Sequence, residues 1–319
     1  MADYAFQLIN RNADRPLGEE IRQQLLRRPC VQIENSLPGT ASRYRPDEAL
    51  ENAVNTAIAV GEPLLLTGEP GTGKTQAAYY VAHQLGTKVF HFQTKSTSIG
   101  NDLLYDFDTV RYFHDAHLSR LEDVAPSEKL NRRNYVSKGQ LWQAFQEAET
   151  TGYPTVVLID EIDKAPRDFP NDLLHEVDQM EFNVREVPDW KVSCPRNLRP
   201  LLFITSNDER RLPPAFLRRC VTHHIELTES LLHDAVFAHQ DMYPTLDEKF
   251  LKTAVECFVK LRRKTLEKKP ATGELLAWLQ VLSVATGVRP NLMNADLKDL
   301  PYLGALIQHP EDMATLRRG

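Results

Sequence analysis

Apolar positions along the chain recur with two different periods, and the change from one to the other divides it. From Asp47 to Val60, Leu50, Val54, Ala57 and Ile58 fall at helical spacing, and Gly61-Glu-Pro63 stops the pattern. Leu64-Leu-Leu66 is a short apolar run, and Gln76 to Leu85 is an amphipathic helical pattern closed by Gly86. Lys88 to Gln93 predicts a second short strand, and Gln140 to Thr151 a helix ended by Gly152. Thr155-Val-Val-Leu-Ile159 and Leu201-Leu-Phe-Ile204 are β-branched or apolar on both faces, as strands inside a parallel sheet must be. Strands alternating with helices over about 65 to 225 predict an α/β fold, a parallel sheet with helices on both sides.

Beyond about Thr228 the strand signature stops. Leu231 to His239, Asp247 to Lys264 and Glu274 to Ala285 are helical patterns, which predicts a smaller helical lid domain over 229–319. Residues 1–43 read as an N-terminal extension that ends in the turn-like Ser36-Leu-Pro-Gly-Thr40, and 44–228 as the α/β core.

The segment between the first strand and its helix carries the first chemistry. Gly68-Glu-Pro-Gly-Thr-Gly73-Lys74-Thr75 matches G-x-x-x-x-G-K-[ST] at every fixed position, in the order strand, glycine loop, helix. Glycines let backbone N–H groups turn inward on phosphate oxygens, and the helix start adds its positive dipole end. Glu69, Pro70, Gly71, Thr72, Gly73, Lys74, Thr75 and Gln76 are therefore candidate ATP-binding residues, with Lys74 on the β and γ phosphates. Mg²⁺ favours octahedral oxygen ligation, so the Thr75 hydroxyl needs a carboxylate beside it. Asp160 is the candidate, at the end of a buried strand where ligands bind in open α/β sheets. Glu161 follows it and is placed to orient or deprotonate an attacking water.

Composition narrows the partners. The 319 residues are 42% hydrophobic and 26% charged with a net charge of −6, which offers no global attraction to nucleic acid or an anionic membrane. Arg27-Arg28, Arg132-Arg133, Arg210-Arg211 and Arg262-Arg263-Lys264 are dispersed and lack interleaved aromatics, so a nucleic-acid groove is not expected. No H-E-x-x-H spacing appears among the ten histidines, and His223-His224 read as part of a strand. Four scattered cysteines without C-x-x-C spacing, no leader-like N-terminus and no long apolar run point to a reducing cytoplasm.

These motifs, with Ile204-Thr-Ser-Asn207 and Pro214-Ala-Phe-Leu-Arg218-Arg219-Cys220, resemble the AAA+ ATPases. The chain is similar to the MoxR group in particular. That likeness rests on Ile159-Asp-Glu-Ile-Asp-Lys-Ala-Pro-Arg-Asp-Phe-Pro-Asn-Asp-Leu-Leu174, Gly139-Gln-Leu-Trp-Gln-Ala-Phe145 and Tyr302-Leu-Gly-Ala-Leu306, and covers roughly 44 to 310. The resemblance implies ATP hydrolysis, rings that are usually hexamers with nucleotide between neighbours, and chaperone-like remodelling of a partner carrying a von Willebrand factor A domain.

Position by position, the resemblance makes Asn207 the sensor 1 residue that holds the lytic water. It makes Arg219 the arginine finger reaching a neighbour's γ-phosphate, with Arg218 the adjacent alternative. Sensor 2 departs from the pattern: Lys269-Pro-Ala-Thr-Gly273-Glu-Leu-Leu276 contains no arginine, and Arg289 is a possible substitute. Residues about 95–138 match the helix-2 insertion. Its Tyr105, Phe107, Tyr112 and Phe113 either face a ring pore or fill the insertion's own core. Residues about 180–199 match the pre-sensor 1 hairpin, whose Trp190 either contacts substrate or packs on the hairpin base. A nucleotide-gated switch or scaffold with slow hydrolysis is the alternative function, motivated by the missing sensor 2 arginine.

Overall fold

The computed structural model describes residues 36–121, 130–284, 292 and 295–318. The expected N-terminal extension lies outside the described residues up to position 35, and so does Arg289. The chain forms two units, one of residues 48–69 and 74–225, the other built mainly from residues 226 onward together with 36–47 and 70–73.

The first unit holds a five-stranded parallel sheet. Its strands are β1 (Leu64–Thr67), β2 (Val89–Gln93), β5 (Val156–Asp160), β8 (Leu201–Ser206) and β9 (Val221–His224), in the order β2-β5-β8-β1-β9. The long helices of this unit are α1 (Glu48–Val60), α2 (Lys74–Leu85), α4 (Gln140–Thr151) and α5 (Phe169–Gln179), with α3 in the insertion below. Every residue of β1 and β5 is buried, so these strands carry almost unbroken apolar runs; each such side chain withdrawn from water contributes about 1.5–3 kcal/mol. Because all five strands run one way, Thr67, Gln93, Asp160, Ser206 and His224 emerge together at the carboxyl edge. His223 and His224 lie in β9 beside β1.

Between β2 and α4, β3 (Tyr105–Phe107) pairs antiparallel with β4 (Val136–Lys138), and α3 (Thr109–Leu121) lies between them in sequence. Tyr105 is buried, stacked on Phe182 at 6.1 Å and edge-on to Trp142 at 6.4 Å. Phe107, Tyr112 and Tyr135 form a second aromatic cluster. Of the four aromatics, Phe107 and Tyr112 thus fill the insertion's own core, Tyr105 packs on Trp142 and Phe182 outside it, and Phe113 stands 65% exposed.

The short strands β6 (Glu181–Asn183) and β7 (Lys191–Ser193) pair antiparallel. The sequence leaves Trp190 open between substrate contact and packing, and the structure shows it packed. Its ring meets Trp142 edge-on at 4.9 Å, packs on the core and is covered by the Arg133 guanidinium. An indole offers too much apolar area to leave in water when a partner ring is at hand.

The second unit has its own core. Helices α7 (Glu229–Ala238), α8 (Glu248–Arg262) and α9 (Thr272–Val284) bury Leu232, Val236, Leu251, Phe258, Leu275 and Trp278 against one another. The short α10 (Leu303–Leu306) and α11 (Pro310–Arg318) complete the unit; α6, in the first unit, is the single turn Pro214–Leu217. Ser36-Leu-Pro-Gly-Thr40 is a capped helical turn rather than an open break, because the Ser36 hydroxyl accepts the Gly39 N–H and proline fits a first turn. Two loop glycines also meet this unit. A Cβ on Gly71 would come within 2.5 Å of the Ala271 Cβ, and one on Gly73 within 2.7 Å of the Tyr44 ring, so both positions exclude a side chain.

Candidate functional site

The glycine loop starts where β1 ends, and its turns need glycine: Gly68, Gly71 and Gly73 have φ of 142°, 76° and 90°. Helix α2 starts at Lys74, directly after Gly73, and a helix start leaves its first backbone N–H groups without intrahelical partners. The Lys74 side chain is buried and bends back to donate to the carbonyls of Gly68 and Glu69, both at 2.8 Å. Burial pulls its ammonium below the ordinary value, opposed by the charges of Asp163, Asp160, Asp208 and Glu161. Glu69, Pro70 and Gly71 are exposed, Thr72 is buried, and Gly73, Thr75 and Gln76 are half-buried.

The Thr75 hydroxyl, on the first turn of α2, donates to Asp160 Oδ1 at 2.9 Å. Thr205, on β8, donates to the same oxygen at 2.5 Å. Burial raises the affinity of Asp160 for a proton, but contacts from His91, Thr205 and Thr75 outweigh it and hold the carboxyl below the usual range. The site therefore presents an ionised carboxylate beside a hydroxyl. Those are hard oxygen donors, too few to enclose a cation alone, and they suit a magnesium ion that keeps water and phosphate ligands.

Glu161 is held in the left-handed region at φ 57°, uncommon for a side chain of this kind and a frequent sign of a functional turn. Its backbone N–H donates to Thr205 Oγ1 at 2.8 Å, which fixes the turn against β8. The carboxylate is surrounded by donors. Lys164 Nζ lies 2.5 Å from Oε2, Gln93 Nε2 donates to Oε2 at 2.7 Å, and Asn207 Nδ2 approaches Oε1 at 3.5 Å. Asn207 is aimed by a buried neighbour: Asp163 Oδ2 accepts the N–H groups of Asn207 and Glu209 at 3.2 and 3.1 Å.

The structure thus brings together Lys74, Thr75, Asp160, Glu161 and Asn207. Arg219 is elsewhere on the unit, on the turn between α6 and β9, where it pairs with Asp178 at 3.1 Å with both side chains about half exposed. Sequence reading missed Gln93, His91, Thr205, Asp163 and Lys164. The signal for the first two was available: they are two apart on β2, so they share a face at its carboxyl end.

Residues 64–229 match the family described as "ATPase family associated with various cellular activities (AAA)". The chain belongs to this AAA family. The matched span runs from the start of β1 to the first residue of α7 and so contains all of these side chains. Among curated proteins, the AAA chain is 34% identical over 166 residues to a mitochondrial Lon protease homolog of Phaeodactylum tricornutum, covering 50% of this chain and 16% of that protein. It is 25% identical over 145 residues to ORC1-type DNA replication protein 8 of Haloarcula marismortui, covering 44% of this chain and 32% of that protein. The chain thus spans less than a third of the length of either relative. Among solved structures, the Thermotoga maritima RuvB Holliday junction branch migration motor aligns with a TM-score of 0.40 at 17% identity, over 72% of this chain and 58% of that one. Among the described residues, no helix is long and apolar enough to cross a membrane.

Proposed function

We propose that this AAA protein binds and hydrolyses ATP and works as a ring-forming, chaperone-like remodeller of the MoxR group, acting on a partner with a von Willebrand factor A domain. The observation that carries the ATPase reading is the direct bond from Thr75 to Asp160, with Glu161 next along the chain and in reach of Asn207. A loop that cradles phosphate, a paired hydroxyl and carboxylate, and a water-activating acid are the parts phosphoryl transfer uses. Lys74 leaves the Gly68 and Glu69 carbonyls for the β and γ phosphates. Thr75 and Asp160 hold magnesium, which when bound offsets charge on the β and γ oxygens. Glu161 accepts the proton of the attacking water and Asn207 orients that water. Arg219 reaches the γ-phosphate bound by an adjoining subunit; its surface pair with Asp178 is worth about 0–1 kcal/mol and is readily exchanged. The MoxR assignment and the partner class rest on the sequence resemblance.

A second reading is a nucleotide-gated switch with slow hydrolysis. It is favoured by the engagement of Glu161 Oε2 by both Lys164 and Gln93, and by the absence of arginine from residues 269–276. Native mass measurement with ADP and with a slowly hydrolysed ATP analogue tests the ring, and phosphate release with and without a von Willebrand A partner separates the two readings. A remodeller forms the larger species with the analogue and turns over faster with its partner; a switch stays slow in the assembled ring. A monomer under both nucleotides would reject the ring.

A further inference from the structure

Asp160 has two oxygens, and only Oδ1 is tied by Thr75 and Thr205. Oδ2 faces His91 Nε2 at 3.3 Å. His91 lies on β2, paired with Leu158 of β5, and its other ring nitrogen, Nδ1, is 3.1 Å from the Tyr79 hydroxyl. Tyr79 sits one turn after Thr75 on α2, with its ring edge-on to the imidazole at 6.0 Å. Helix α2 therefore touches Asp160 twice, directly through Thr75 and indirectly through Tyr79 and His91.

The donors and acceptors in this chain can be assigned. An ionised carboxylate only accepts, so the nitrogen facing it carries the hydrogen. In a neutral ring Nδ1 then has only a lone pair, and Tyr79 O–H donates to it. The ring is held at Nδ1 by Tyr79, and Nε2, which among the described residues has no other polar neighbour within bonding distance, faces Oδ2.

We propose that His91, held by Tyr79, is a positioning residue that sets the plane of the Asp160 carboxylate for magnesium. This rests on the magnesium–nucleotide reading above. Groups that hydrogen-bond a metal's ligands orient them, and losing one costs about 10–100-fold in metal affinity.

The test uses the full-length protein and a fluorescent ADP, titrated with Mg²⁺ and, separately, in EDTA. His91→Leu raises the half-saturating Mg²⁺ about 10–100-fold and leaves ADP affinity in EDTA unchanged within about twofold. His91→Gln, whose amide N–H reaches the same carboxylate oxygen, restores the Mg²⁺ midpoint, and Tyr79→Phe gives a smaller shift. An unchanged midpoint in His91→Leu, or equal weakening in Mg²⁺ and in EDTA, overturns the positioning role while leaving the ATPase reading intact. Absence of nucleotide binding by the unmodified protein overturns both. Nitrogen-15 spectroscopy of the unmodified, metal-free protein gives an answer independent of any variant. The hydrogen is expected on Nε2 of His91; finding it on Nδ1 with Nε2 bare overturns the assignment.

Discussion

Thr75 Oγ1 donates to Asp160 Oδ1 at 2.9 Å, joining the first turn of α2 to the last residue of β5 across 85 positions of sequence. Thr75→Ala should lower phosphate release by at least about 10²-fold, since a preorganised contact to developing charge is lost. Thr75→Ser, which keeps the hydroxyl, should retain most of it. A steady-state phosphate assay over a Mg²⁺ series checks both, and wild-type rates in Thr75→Ala would remove the hydroxyl from the site.

Arg219 offers a different signature. Its Ala variant should melt within about 0.5 kcal/mol of the parent, because an exposed pair contributes little. Turnover should nevertheless fall by roughly 10³ or more, the scale of an arginine finger, with ATP affinity retained. Mixing Arg219→Ala with Glu161→Gln subunits should give no simple complementation. Loss of ATP affinity in the isolated Arg219→Ala subunit would argue for a role in its own site instead.

Trp190 separates packing from substrate contact. With Trp142 at 4.9 Å and Arg133 over its ring, Trp190→Ala should destabilise the sheet unit by about 2–3 kcal/mol in urea unfolding. An Ala variant of unchanged stability but altered partner binding would restore the contact role.

Asp312 makes acid stability specific to the helical unit. Its carboxylate accepts the backbone N–H groups of Glu267 at 2.7 Å and Lys268 at 3.1 Å. The Glu267 bond, opposed by desolvation and helped by the Lys268 bond, holds the carboxyl below the usual range. A depressed carboxyl stabilises the fold above its unfolded pKa, near 3.9, and that contribution is lost as pH falls through the folded value. Asp312→Asn should therefore lower the melting temperature at pH 7 and erase part of its fall on acidification below pH 4. Parallel melting curves for the two proteins down to pH 2.5 would contradict this.

Local patterns in the sequence carry much of this architecture. Thr155 to Ile159 and Leu201 to Ile204 read as buried strands because both faces are apolar, and the structure places them side by side at the centre of the sheet. Gly68, Gly73, Lys74 and Thr75 at their fixed spacing, between a strand and a helix, mark the candidate phosphate loop. Helix α2 begins at Lys74 rather than near Gln76, directly after the positive-φ Gly73. What the sequence leaves dark is convergence. Gln93, His91 and Thr205 become neighbours of Asp160 and Glu161 only through the order β2-β5-β8, and that order is fixed by pairings between distant segments. Trp190 stays open in the sequence for a related reason: its partner Trp142 lies on α4, outside the hairpin whose alternation defines it.

Glu161→Gln bears most directly on whether the Gly68–Thr75 loop and the Asp160 turn form a hydrolytic site. The substitution keeps the side chain's shape and removes its capacity to take a proton from water. ATP should bind with affinity within a few fold of the parent, phosphate release should fall to background, and the oligomer should persist with ATP. Phosphate release at the parental rate from Glu161→Gln, with ATP bound, would contradict the assignment.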